Sequence, residues 1–171
     1  DAVVEGDETN NNGLPVALTV VRPDLAVTTV TAPAVAGAGA NVSVTHTVRD
    51  KAAAAGAARA TVSRLYLSSD DTLDGGDVVL GEVAVGPLAG GATATVAKSV
   101  TIPPGTVPGR YFVIAQANAT GTVVEADSPG LTDNTKATPT PIIVGPDLVV
   151  SAATAAPTAT APGATVNVTN L

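Results

Sequence analysis

Four aspartates crowd one short stretch, Asp70, Asp71, Asp74 and Asp77, with Glu82 just beyond them. Carboxylates this close repel one another unless solvent or a cation separates them, and calcium draws its oxygen ligands from flexible acidic loops of this kind. Laid on the calcium-loop template from Asp70, Asp74 and Gly75 fall in register. Thr72 stands where an acid is needed, however, and Gly81 takes the place of the bidentate Glu. The stretch is therefore no EF-hand. Two readings stand: a solvated turn whose Asp side chains accept backbone N–H bonds, or a calcium site built from Asp70, Asp71, Asp74 and Asp77.

Little else in the chain is equipped for chemistry. His46 is the single histidine and falls on an apolar strand face, the place of a packed or edge core residue. There is no cysteine, which removes thiolate zinc sites, disulfides and a cysteine nucleophile together. Serine and threonine abound, but no second histidine and no nucleophile elbow marks a hydroxyl for attack. Gly90-Gly91 reads as a turn and not as a phosphate loop. Sequons begin at Asn41, Asn118 and Asn167 and read as ordinary strand composition. No catalytic activity is expected. The net charge of −7, with only eight Lys and Arg spread thinly, argues against nucleic acid, which needs clustered cations. It argues against an anionic membrane surface for the same reason. No apolar run approaches the length that spans a bilayer.

The elements that must position these residues are strands. Val-, Ala- and Thr-rich segments alternate with Gly and Pro turns, the pattern of a β-sandwich. A first strand runs from Leu25 through Val27 and Val30 and stops at Ala32-Pro33. From Asn41 to Arg49, Val42, Val44, His46 and Val48 face one way and the polar residues the other. Thr61 to Leu67 is a second central strand in which Val62 has the wrong parity for the face carrying Leu65 and Leu67. Ala52 to Ala60, interrupted by Gly56, reads as a loop. Beyond the acidic loop come Val78 to Val85 and then Ala94 to Ile102, where Lys98 breaks the apolar face and marks an edge. After the corner Pro108-Gly109, the residues Tyr111, Val113, Ala115 and Ala117 point inward. Tyr111 stands where a tyrosine corner would tie its hydroxyl to backbone. A last strand, Ala137 to Val144, carries Pro139 and Pro141 and is expected at a sheet edge.

The chain also nearly repeats itself. Pro23-Asp24-Leu25-Ala26-Val27 returns as Pro146-Asp147-Leu148-Val149-Val150, an offset of 123 residues, and Gly39-Ala40-Asn41-Val42-Ser43-Val44-Thr45 returns as Gly163-Ala164-Thr165-Val166-Asn167-Val168-Thr169, an offset of 124. Val3-Val4-Glu5-Gly6-Asp7 likewise matches Val123-Val124-Glu125-Ala126-Asp127. A period near 120 residues suits a self-sufficient domain and not a solenoid unit. The expected division is 1–21 as the end of one repeat, 22–144 as a whole repeat and 145–171 as the opening of a third. Gly145-Pro146 leaves almost no linker, so neighbouring beads should form a semi-rigid line.

The order Pro23-Asp24-Leu25, Leu65-Tyr66-Leu67-Ser68-Ser69-Asp70, Leu73-Asp74-Gly75-Gly76-Asp77-Val78-Val79-Leu80-Gly81, Ile102-Pro103, Pro108-Gly109-Arg110-Tyr111 and Val124-Glu125 closely resembles the CARDB module, the cell-adhesion-related domain of bacterial and archaeal surface proteins. The resemblance implies an all-β, immunoglobulin-like sandwich of about seven antiparallel strands, tandemly repeated in secreted or surface-anchored proteins and without catalysis of its own. One departure stands out. The acidic, Asn-rich turn kept after Glu5 as Gly6-Asp7-Glu8-Thr9-Asn10-Asn11-Asn12 becomes, after Glu125, the less acidic and longer Ala126-Asp127-Ser128-Pro129-Gly130-Leu131-Thr132-Asp133-Asn134.

The expected function is a structural or adhesive repeat of an extracellular stalk, fibre or filament. Its partners would be neighbouring repeats or identical subunits, joined in part by β-strand pairing between subunits. A surface protein or glycan is the further candidate partner. The alternative is a carbohydrate- or protein-binding module appended to an exported enzyme. The scarcity of aromatic rings, with Phe112 the one outward candidate, weighs against sugar binding. Calcium is the one candidate cofactor.

Overall fold

The structure, a computed structural model, describes residues 20–52, 56–126, 133–145, 153–156, 162–163 and 165–170. Among these residues nine strands lie between Leu25 and Gly145: β1 (Leu25–Thr31), β2 (Val35–Gly37), β3 (Asn41–Asp50), β4 (Thr61–Ser68), β5 (Val78–Val85), β6 (Thr93–Thr101), β7 (Gly109–Gln116), β8 (Thr135–Ala137) and β9 (Ile142–Gly145). They form two sheets. One has the order β1-β3-β6; the other has the order β2-β9-β7-β4-β5, with β8 also paired to β7. A further antiparallel pair, β10 (Ala153–Ala156) and β11 (Asn167–Asn170), stands as a separate two-stranded sheet. The expected division at 1–21 falls largely outside the described residues.

Alternation along β3 is as the sequence predicts. Val42, Val44, His46 and Val48 are buried while Asn41, Ser43 and Arg49 are exposed. They meet Leu25, Val27 and Val30 of β1, Leu65 and Leu67 of β4, Val113 and Ala115 of β7, and Ile142 and Val144 of β9 in one core. With few rings available, this core is aliphatic, and each larger side chain contributes about 1.5–3 kcal/mol on burial. β6 is an edge strand, and Lys98 is exposed on it, opposite Val44.

Two expectations need correction. The sandwich is not wholly antiparallel: just after Pro33, Val35–Gly37 forms β2, which pairs in parallel with β9. Proline cannot donate to a ladder, so β1 ends there and the chain crosses to the other sheet, where Ala34 accepts a bond from the Ile143 N–H at 2.9 Å. The proline-bearing last strand is two strands, β8 and β9, broken at Pro139-Thr140-Pro141. Freed of proline, β9 lies between β2 and β7 instead of at an edge. Beyond these, Ile114 is buried on the face opposite Val113 and Ala115, at 1 % exposure. The β4–β7 and β7–β8 ladders put Tyr66 and Ala137 beside it.

Candidate functional site

The acidic loop leaves the end of β4 and returns into β5. Its aspartates cap backbone. Ser68 Oγ accepts from the Asp70 N–H at 3.2 Å, and Asp70 Oδ1 from the Thr72 N–H at 2.9 Å. Asp74 Oδ1 accepts from Gly76 N–H at 2.7 Å, and Asp77 Oδ2 from Asp74 N–H at 3.0 Å. Asp70, Asp71 and Asp74 are exposed and Asp77 is half-buried. Among the described residues no three His, Cys, Asp or Glu side chains are gathered as a metal centre. Glu82 is not part of the loop: it lies opposite Arg64 in the β4–β5 ladder and accepts from Nε at 2.8 Å and Nη2 at 2.6 Å.

The other end of the sandwich carries a polar knot that residue spacing alone did not single out. Glu125, 2 % exposed, accepts at Oε2 from the Leu25 N–H at 2.6 Å. Its Oε1 accepts from Asn118 Nδ2 at 2.7 Å and Asn134 Nδ2 at 2.8 Å. One carboxylate thus ties the start of β1 to the turn after β7 and to the approach to β8. Asn118 itself adopts φ 47°, in the left-handed region that Asn tolerates better than most residues. Its Nδ2 also donates to the Val123 carbonyl at 2.8 Å. In the sequence Glu125 stands out only through the internal repeat and the family pattern, and Asn118 only as a sequon.

Charge gathers beside it. Asp50, fully buried, accepts at Oδ1 from the N–H groups of Asp24 and Ala52, each at 3.0 Å. The Lys51 ammonium bridges Asp24, at 3.2 Å, and Asp133. Those bonds, the one to Asp133 above all, raise the Lys51 pKa. Asp24, Asp50 and Asp133 each keep one buried carboxylate oxygen without a hydrogen-bond partner among the described residues.

His46 is a core residue, fully buried, with neither ring nitrogen hydrogen-bonded among the described residues. Burial pushes its pKa down from the ordinary value, which keeps the ring neutral. Asn41 is engaged by Thr101 Oγ1 at 2.6 Å. Phe112 lines an open groove of about 640 Å³ on the outer face of the larger sheet, with Leu73, Ile114 and Lys136.

Tyr111 behaves as its position predicts. Its hydroxyl donates to the Val107 carbonyl at 2.9 Å, closing the corner at the start of β7. A three-stranded sheet packed on a six-stranded one, a first strand that switches sheets and a tyrosine corner together define an immunoglobulin-like sandwich. The chain belongs to the CARDB family, whose model matches residues 22–138.

Among solved structures, the chain is similar to a CARDB domain from Pyrococcus furiosus, crystallised in complex with di-metal ions. Identity is 20 %, the match covers 74 % of this chain and 97 % of that one, and the TM-score is 0.52. A β-glucosidase from Listeria innocua in complex with glucose matches at 15 % identity and TM-score 0.46. That match covers 75 % of this chain but only 17 % of the enzyme. A β-glucosidase from Erythrobacter marinus matches at 16 % identity and TM-score 0.46, covering 72 % of this chain and 16 % of the enzyme. The comparison with curated proteins found no match.

Proposed function

We propose that this chain is a stretch of a tandemly repeated, non-catalytic array in an extracellular or cell-surface protein, serving as a spacer or adhesive stalk. The observation that carries this reading is strand register. In the first sandwich Val30 pairs with His46 and Thr31 with Thr45. In the separate sheet Ala153 pairs with Asn170 and Thr154 with Thr169. Shifted by the sequence offsets of 123 and 124, these are the same pairs. A slip of one residue would turn every side chain to the opposite face, so matched register is what a second copy of the domain produces.

Pulling a chain that contains two or more copies between two attachment points tests this. Each copy should resist and then release about 400 Å of extended chain, giving equally spaced unfolding events. A single irregular event would refute the array.

The finer assembly step is strand addition between subunits, and β5 is the edge suited to it. Val78 and Val79 stand exposed there and its mid-strand Glu82 is paired with Arg64 of β4, whereas β6 carries Lys98 in mid-strand, a charge that blunts an edge. A protein that sediments as a monomer at high concentration removes this step and leaves the array intact.

The candidate calcium site at Asp70, Asp71, Asp74 and Asp77 belongs to the same reading, as a stiffener of the stalk. The di-metal complex of the Pyrococcus domain supports testing it. A second reading, a carbohydrate- or protein-binding module, is favoured by the groove at Phe112, whose volume lies in the range of small-ligand sites. Titration with oligosaccharides, followed by NMR shifts at Phe112 and Ile114, decides it.

A further inference from the structure

The two ends of the sandwich differ, and the chain passes from one to the other. It comes in at a head pole, where Pro23 lies beside Ala57, Arg59, Thr122, Val123 and Val124. It leaves at a tail pole, where Gly145 lies in a hollow with Gly37, Ala38, Gly39, Thr106 and Pro108. Both poles carry apolar side chains that the fold leaves uncovered: Val124 is 67 % exposed at the head, and Val107 is 70 % exposed at the tail. Asp70, Asp71, Asp74 and Asp77 sit in the β4–β5 loop at the tail, and Arg22 and Arg59 are exposed at the head.

The head pole already grips the chain that precedes it. A Cβ placed on Gly56 would meet the Arg22 carbonyl at 2.8 Å and Val21 Cγ1 at 3.0 Å, so Val21 and Arg22 run against Gly56 with no room to spare. By the offset of 123, Val21 and Arg22 correspond to Val144 and Gly145, the end of β9.

We propose that successive copies dock head to tail at a closed joint. The Gly145 end of one copy's β9 is held at the next copy's Gly56, and the glycine-lined hollow beside Val107 receives the next copy's Thr122–Val124 segment. This inference rests on the tandem reading. Its geometric force comes from the linker: one peptide bond joins Gly145 to Pro146, the counterpart of Pro23. Whatever surrounds Pro146 as Val123 and Val124 surround Pro23 must face the hollow around Gly145. Contacts across so short a junction are formed at high effective concentration, and burying two exposed valines favours the closed joint.

The test uses the whole chain with residues 23–145 duplicated in place, so that residue 145 is followed by a second residue 23. Backbone ¹⁵N relaxation reads the tumbling of each copy. The expected result is one correlation time, that of the joined particle, shared by both copies. Placing V107D in the first copy and V124D in the second sets like charges face to face, and the correlation time should then fall to the value for a single copy. Both substitutions are at exposed positions, so each copy's thermal midpoint should stay unchanged. Two folded copies that tumble independently before any substitution would overturn the docking and leave the tandem reading standing. A second copy that does not fold would overturn the tandem reading, and the docking with it.

Discussion

Glu125 is the residue whose replacement should damage this fold most for the smallest change in shape. In the E125Q variant one oxygen becomes an NH₂ group, while three donors still point at the site: the Leu25 N–H, Asn118 Nδ2 and Asn134 Nδ2. If the new amide faces Leu25, donor meets donor at the start of β1. If it faces the asparagines, Asn134 can flip, because its Oδ1 has no partner among the described residues. Asn118 cannot, because its Oδ1 accepts from the Val123 N–H at 3.2 Å. One buried donor is therefore orphaned in either orientation, and the remaining bonds lose their charge assistance. The cost of one orphaned buried donor is about 1–3 kcal/mol, and weakening of the other bonds places the total near 2–4 kcal/mol. For a domain of this size each kcal/mol lowers the melting temperature by about 4 °C, so E125Q should melt roughly 8–16 °C below the parent protein. Circular dichroism on heating measures this. E82Q is the control: Glu82 pairs with Arg64 in the open, where solvent screens the pair and its loss changes stability little. An E125Q protein that melts within a degree of the parent, or no lower than E82Q, would refute the assignment of Glu125 as the tie between β1 and the turns.

Other outcomes follow from the same geometry. His46 has its folded pKa pushed below the ordinary value of 6.5, so the unfolded state binds the extra proton. Its contribution to stability is complete above pH 6.5 and is lost as pH falls from there through the folded pKa, with a slope of at most about 1.4 kcal/mol per pH unit. Urea unfolding between pH 7 and 5 should show this slope, and H46L should flatten it. Y111F removes the hydroxyl that donates to Val107 and should cost about 1 kcal/mol in denaturant unfolding, with no change of fold by NMR. If calcium occupies the acidic loop, the melting temperature rises with calcium over chelator, by an amount equivalent to about 2.7 kcal/mol at a hundredfold excess over Kd, and D70N with D74N abolishes the rise. A rise that survives that double variant but is lost in D24N assigns the ion to the head pole, and no rise leaves the aspartates as turn caps.

Much of this protein can be read without coordinates because its strands are half-buried and alternate. The inward set Val42, Val44, His46 and Val48 follows from period-two patterning alone, and the Tyr111 corner from a Pro-Gly turn before a strand. The family was legible too, since motifs such as Pro23-Asp24-Leu25 and Leu73-Asp74-Gly75-Gly76-Asp77 are local and contiguous. What escaped depends on contacts between distant residues. Pro33 signals that β1 stops, but only the position of β9 decides that the next residues pair with it in parallel. Pro139 and Pro141 signal a weak strand, but only the neighbouring ladders decide that the chain breaks in two and buries its second half.

Glu125 shows the limit most plainly. By composition it is one acidic residue in an exposed-looking stretch, and its role arises because folding carries Leu25, 100 residues away, to within hydrogen-bond distance. Side-chain periodicity encodes which face of a strand meets the core, and local turn chemistry encodes where strands stop. Which buried carboxylate satisfies which backbone donor is decided only by tertiary packing, because that pairing has no period along the chain.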